Sequence, residues 1–161
     1  MSDETSTTID LLNGLLGAYY TALAQHQTHV TVLHSWGITG LAQAMEERIA
    51  DEPVTIATMM RRLLDLGGRP DFAFGDLNLG TSVREVLDND LEIQLLARPG
   101  LNAAAETAAA EHDATTRVLI EGILADEEQH LAWLQGEIDL LERLGEPLYL
   151  ANRLGSSPTP D

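Results

Sequence analysis

The chain of 161 residues contains no cysteine and no lysine. The first absence removes disulfide frameworks, thiolate zinc sites, iron–sulfur clusters and thiol redox chemistry. The second leaves nine arginines against 26 Asp and Glu, for a formal charge of −17. A nucleic-acid backbone would be repelled by such a chain and cations attracted to it. Salt adaptation or colloidal solubility explains that acidity more simply, so charge alone assigns no site. No apolar run approaches the length of a membrane span, and residues 1–8 lack the basic-then-apolar pattern of a signal peptide. The expectation is a cytoplasmic protein with neither a nucleic-acid nor a membrane partner. Its length suits one domain, expected over residues 1–155, with a disordered tail at 156–161.

What the chain does have is helical period. Ile9, Leu12, Leu16, Tyr19, Leu23, His26, Val30 and Leu33 recur at steps of three and four, which predicts a long first helix closing at Trp36-Gly37. A second run, from Ile38 through Leu41, Met45, Ile49, Glu52, Ile56, Met59 and Leu63 to Leu66, stops at Gly67-Gly68-Arg69-Pro70. The short turn between the two makes them antiparallel neighbours. Residues 67–81 carry no helical period and read as a connection long enough to cross a bundle. Ser82 is placed to cap a third helix with Val83, Leu87, Leu91, Gln94, Leu101, Ala105 and Ala108 on one face. A fourth runs from near Asp113 to Leu144 and ends at Gly145; residues 147–154 predict a short fifth. Pro53 and Pro99 fall inside the second and third helices, where each is expected to produce a kink or bulge. No strand pattern runs long enough to predict a sheet. The predicted fold is all-α: two helical hairpins joined by one long crossover, the topology of ferritin-like four-helix bundles, plus a short C-terminal helix.

Charged residues on apolar seams need partners, because an unpaired buried carboxylate costs several kcal/mol. Glu127 and His130 project from one side of the fourth helix between Ile123 and Leu134, and Glu52 lies between Ile49 and Ile56 on the second. Taken alone, the Glu-x-x-His spacing is explained as well or better by pairing with each other or with an Arg. Two buried carboxylates together would repel without a positive charge between them, which favours a metal. Tyr19 and Gln94 face inward on the first and third helices as weaker candidates. His26 reads as a satisfied core residue, or as an outer partner of the site beside Tyr19. His29 sits at the seam edge and is expected to have no carboxylate beside it; it, His34 and His112 are read as structural. Met45, Met59 and Met60 are read as core filling. Glu46, Glu47 and Asp51 read as a solvated helix face.

The chain resembles bacterioferritin along nearly its whole length. The resemblance is carried by Ile9-Asp10-Leu11-Leu12-Asn13-Gly14-Leu15-Leu16-Gly17, by Trp36-Gly37, by Asp76-Leu77-Asn78-Leu79-Gly80 and above all by Asp126-Glu127-Glu128-Gln129-His130-Leu131-Ala132-Trp133-Leu134. It implies self-assembly into a hollow shell of 24 subunits that oxidises ferrous iron at an intrasubunit di-iron site and stores the mineral inside. The family's ligand set is one Glu from each of helices one and three and a Glu-x-x-His from each of helices two and four. Those positions fall here on Tyr19, Gln94, Glu52 with Thr55, and Glu127 with His130, so three of six ligands remain. Family members often bind haem between paired subunits, but the haem-ligating Met position is Pro53, which counts against haem. The resemblance with these departures implies an iron-storage subunit with little or no ferroxidase activity of its own, with assembly beside a second, active ferritin-like subunit as one way to supply it. Alternatives are a mononuclear metalloprotein or enzyme using Glu52, Glu127 and His130, an active ferroxidase with substituted ligands, and a metal-free structural bundle.

Overall fold

In a computed structural model, which describes residues 3–155, α1 (Asp3–Ser35) runs the length of a bundle and turns at Trp36-Gly37, with Gly37 at φ +79°. The return strand of the first hairpin is made of two helices, α2 (Thr39–Ile49) and α3 (Glu52–Asp65). After a crossover without helix, α4 (Val83–Ala110) and α5 (Ala114–Leu144) form the second hairpin, and α6 (Glu146–Ala151) follows. The expected bundle, crossover and short final helix are all present. The expected tail at 156–161 lies outside the described residues.

One expectation about proline needs correction. The second helix is not one kinked rod: it ends at Ile49 and restarts at Glu52, with Pro53 in the first turn of α3. Proline fits there because the N–H it lacks would have no intrahelical acceptor in a first turn. Pro99 lies inside α4, which continues through it to Ala110. Pro99 is exposed on the solvent face, where water can serve the Leu95 carbonyl that loses its donor.

The ends of the helices follow local chemistry. Ser82 caps α4 by accepting from the Glu85 N–H at 3.2 Å, while Glu85 accepts from the Thr81 N–H at 2.7 Å, a reciprocal pair at the helix start. Asp113 caps α5 through the Thr116 N–H and is gripped by Arg62 of α3 at 2.7 Å. Buried Glu137 holds α6 down, accepting from the Tyr149 hydroxyl at 2.6 Å and from Arg153 at 2.7 and 2.9 Å.

The crossover is fixed to α1 by a ridge of every fourth residue. Asn13 accepts from the Asp71 N–H and donates to the Arg69 carbonyl; Thr21 accepts from Gly75 N–H, Gln25 from Asn78 N–H, and His29 Nε2 from Gly80 N–H. Gly17, in the same row, lets the chain pass so close that an added Cβ would stand 2.5 Å from the Ala73 carbonyl oxygen.

The apolar core falls into two clusters. One contains Leu12, Leu16, Ile56, Met59, Leu63 and Leu101; the other contains Leu33, Leu41, Met45, Val86, Leu87 and Leu134. Each such side chain contributes about 1.5–3 kcal/mol by burial. Met45 and Met59 are core residues, as expected, and Met60 packs against the first cluster.

Two outcomes follow. Gly17→Val is expected to push the crossover off α1 and cost about 1–3 kcal/mol in denaturant unfolding, through overpacking against backbone. Asp113→Ala is expected to cost about 1–2 kcal/mol at neutral pH. Despite partial burial, the Arg62 and Thr116 bonds hold the Asp113 carboxyl below its ordinary range. Its contribution is therefore present above the unfolded-state pKa and is lost as pH falls through the lower folded value, so wild type and variant should converge in acid.

Candidate metal centre

Between the two apolar clusters lies a polar layer: Gln25, His26 and His29 from α1, Glu52 from α3, Asp90 and Gln94 from α4, Glu127 and His130 from α5, all buried. The break between α2 and α3 lies beside it, so that Glu52 enters as the first residue of α3. The predicted candidates Tyr19, Glu52, Gln94, Glu127 and His130 are all buried, with Tyr19 in the adjoining apolar cluster. Thr55 is half-buried, and His34 and His112 are exposed, as are Glu46, Glu47 and Asp51.

The carboxylates are already engaged by protein donors. The Tyr19 hydroxyl donates to Glu127 Oε1 at 2.6 Å, and His26 Nδ1 donates to Glu52 Oε1 at 2.7 Å. Burial disfavours charge on His26, but the Glu52 bond and the charges of Glu52, Asp90 and Glu127 outweigh it and raise its pKa above the ordinary imidazole value. Burial, then the charge and bond of Glu127, keep the Tyr19 phenol firmly protonated. Glu127 is itself pushed up, first by burial and also by Glu52, with the Tyr19 bond and His26 opposing. His130 is lowered to about 4 by burial and by the charge of His26, which leaves a neutral imidazole. The Gln94 Nε2–H donates to its Nδ1 at 3.2 Å, placing the His130 proton on Nε2.

His29 is satisfied in the core as expected, but it does have a carboxylate beside it. Its Nδ1 donates to Asp90 Oδ1 at 2.8 Å, which also accepts from Gln25 at 3.0 Å. Asp90, fully buried, was missed by the seam reading, which counted Leu91 in the same turn. The signal was available, since Val83, Val86, Asp90 and Gln94 also step by threes and fours. Asp90 Oδ1 stands 4.0 Å from His26 Nε2. Four atoms of this layer have no hydrogen-bond partner: His26 Nε2, Glu52 Oε2, Asp90 Oδ2 and Gln94 Oε1.

The chain matches the ferritin-like domain family over residues 9–144. It belongs to that family. Bacterioferritin BfrA of Mycobacterium tuberculosis is 33% identical over 150 residues, covering 92% of this chain and 94% of the relative. The Streptomyces coelicolor bacterioferritin is 36% identical over 144 residues, covering 89% and 86%. Among solved structures, M. tuberculosis BfrA superposes with a TM-score of 0.89 at 32% identity, covering 92% of this chain and 94% of the other. Rhodobacter capsulatus bacterioferritin, solved with a metal-free dinuclear site and haem iron, gives 0.92 at 26% identity, covering 96% and 98%.

The residues present do not fit a two-metal centre. Tyr19 and His26 occupy carboxylate oxygens that metals would need, Thr55 offers no imidazole, and among the described residues no three His, Asp or Glu converge as a metal-holding group. Nor does the position that the resemblance assigns to the haem ligand fit, since Pro53 lies exposed in the first turn of α3 with no donor atom.

Tyr19→Phe is expected to leave Glu127 buried and short of a partner, costing about 1–3 kcal/mol in urea unfolding near neutral pH.

Proposed function

We propose that this chain is a subunit of a bacterioferritin-type iron-storage shell whose intrasubunit site no longer oxidises iron as a two-metal centre. Support for storage comes from the relatives, which are bacterioferritins over nearly their whole length. Support for the lost oxidation step comes from one observation: Glu127 and Glu52 are held by the Tyr19 hydroxyl and the His26 ring. Ferrous oxidation by dioxygen needs two ions a few Å apart with anionic ligands to neutralise the ferric charge as it develops. Here Tyr19 and Thr55 supply neither a carboxylate nor an imidazole, and Gln94 offers only a neutral carbonyl oxygen. Iron is then cargo, oxidised elsewhere, and a second ferritin-like subunit with a complete ligand set is the economical source of that activity.

Anaerobic ferrous titration of the metal-stripped assembly, followed by admission of oxygen, tests the reading. The expected result is fewer than two site-bound irons per chain and slow oxidation. Within that result, one iron per chain, lost in Glu127→Ala, would add a mononuclear site at Glu52, Glu127 and His130. Two irons with rapid oxidation, lost in the same variant, would overturn the proposal.

A further inference from the structure

The last tie between α1 and the crossover is made by an imidazole. His29, fully buried on α1, has both ring nitrogens committed: Nδ1–H donates to Asp90 Oδ1 at 2.8 Å, and Nε2 accepts from the Gly80 N–H at 2.9 Å. The second bond exists only while Nε2 keeps its lone pair, because a protonated imidazole donates from both nitrogens and accepts at neither. A proton on Nε2 would set one N–H against another at Gly80, whereas the bond from Nδ1 to Asp90 would gain strength from the new charge. The loss therefore falls on the crossover and not on the helix pair. The other ties along α1 have no such response, since Asn13, Thr21 and Gln25 hold Asp71, Gly75 and Asn78 through amides and a hydroxyl.

The charged groups around this tie come from three helices besides α1. From α4, Asp90 faces the ring, Glu85 accepts from Thr81, and Glu92 lies 3.5 Å from the Asn78 amide. The Thr81 bonds keep the Glu85 carboxyl below its ordinary range, so it stays an acceptor while imidazoles titrate. On α1, His26 stands 4.0 Å from the same Asp90 oxygen; Glu52 of α3 bonds His26, and His130 of α5 lies edge-on to it. We propose that His29 is a proton-operated latch: acid protonates its Nε2 and frees the crossover at Gly80, while the ties at Asp71 and Gly75 hold. Ala73, Gly75, Asp76 and Asn78 of the crossover wall a cavity of about 520 Å³ that reaches Tyr19 and Gln94, so the latch governs how firmly the end of that wall is held. The latch goes beyond the storage reading and does not depend on it.

Because the chain has no cysteine, one engineered thiol can carry a single nitroxide spin label. Leu79→Cys, at a position 46% exposed beside Gly80, places the reporter; Phe74→Cys, at a position 69% exposed beside Gly75, places the control. In the intact assembly the label at 79 is expected to become about threefold or more mobile between about pH 8 and about pH 5, across the usual imidazole range, with the label at 74 unchanged. His29→Gln is expected to abolish the response, because its amide oxygen accepts from the Gly80 N–H and takes up no proton. Glu85→Gln, which removes the titratable partner of exposed Thr81, is expected to leave the response intact. No change at 79, an equal change at both labels, a response that survives His29→Gln, or one that disappears in Glu85→Gln would each overturn the proposal.

Discussion

The protein is organised around the need to neutralise carboxylates in the middle of a helical bundle. Glu52, Asp90 and Glu127 are nearly inaccessible to water, and an ionised carboxylate there is tolerated only with a charge or strong donors beside it. The His26 ring lies closest to that requirement, 2.7 Å from Glu52 and 4.0 Å from Asp90, and it feels the charge of Glu127 as well. Tyr19 performs a similar service for Glu127 without charge. Side chains of this chain thus supply part of what metal ions provide when a bundle is lined with ligands.

The same layer ties local structure to long-range order. His29 and Gln25 bond Asp90 on one side and the backbone of the crossover on the other, so the polar core and the path of the connection are fixed together. The restart of the first hairpin's return arm at Glu52 brings that carboxylate to the layer from a first turn, where proline next to it is harmless.

Much of the fold was legible from period alone. The apolar steps of α1 and α5 marked their buried faces, and the Gly-rich, Pro-containing stretch after Leu66 marked the crossover, because burial of one face leaves a repeating signature in the chain. Prolines were read less well. Pro53 and Pro99 look alike in sequence, yet one stands in a helix's first turn and the other on an uninterrupted outer face, a distinction made by hydrogen-bond position and solvent rather than residue type.

By itself the sequence determined the all-α class, the pairing of the helices and the inward set of Tyr19, Glu52, Gln94, Glu127 and His130, since periodicity states which side of a helix is buried. Only the tertiary structure decided who satisfies whom. The pairing of His26 with Glu52, of His29 with Asp90 and of Tyr19 with Glu127 joins residues 26, 61 and 108 positions apart. Such contacts depend on how helices rotate and slide against one another, and one helix's period carries no record of that.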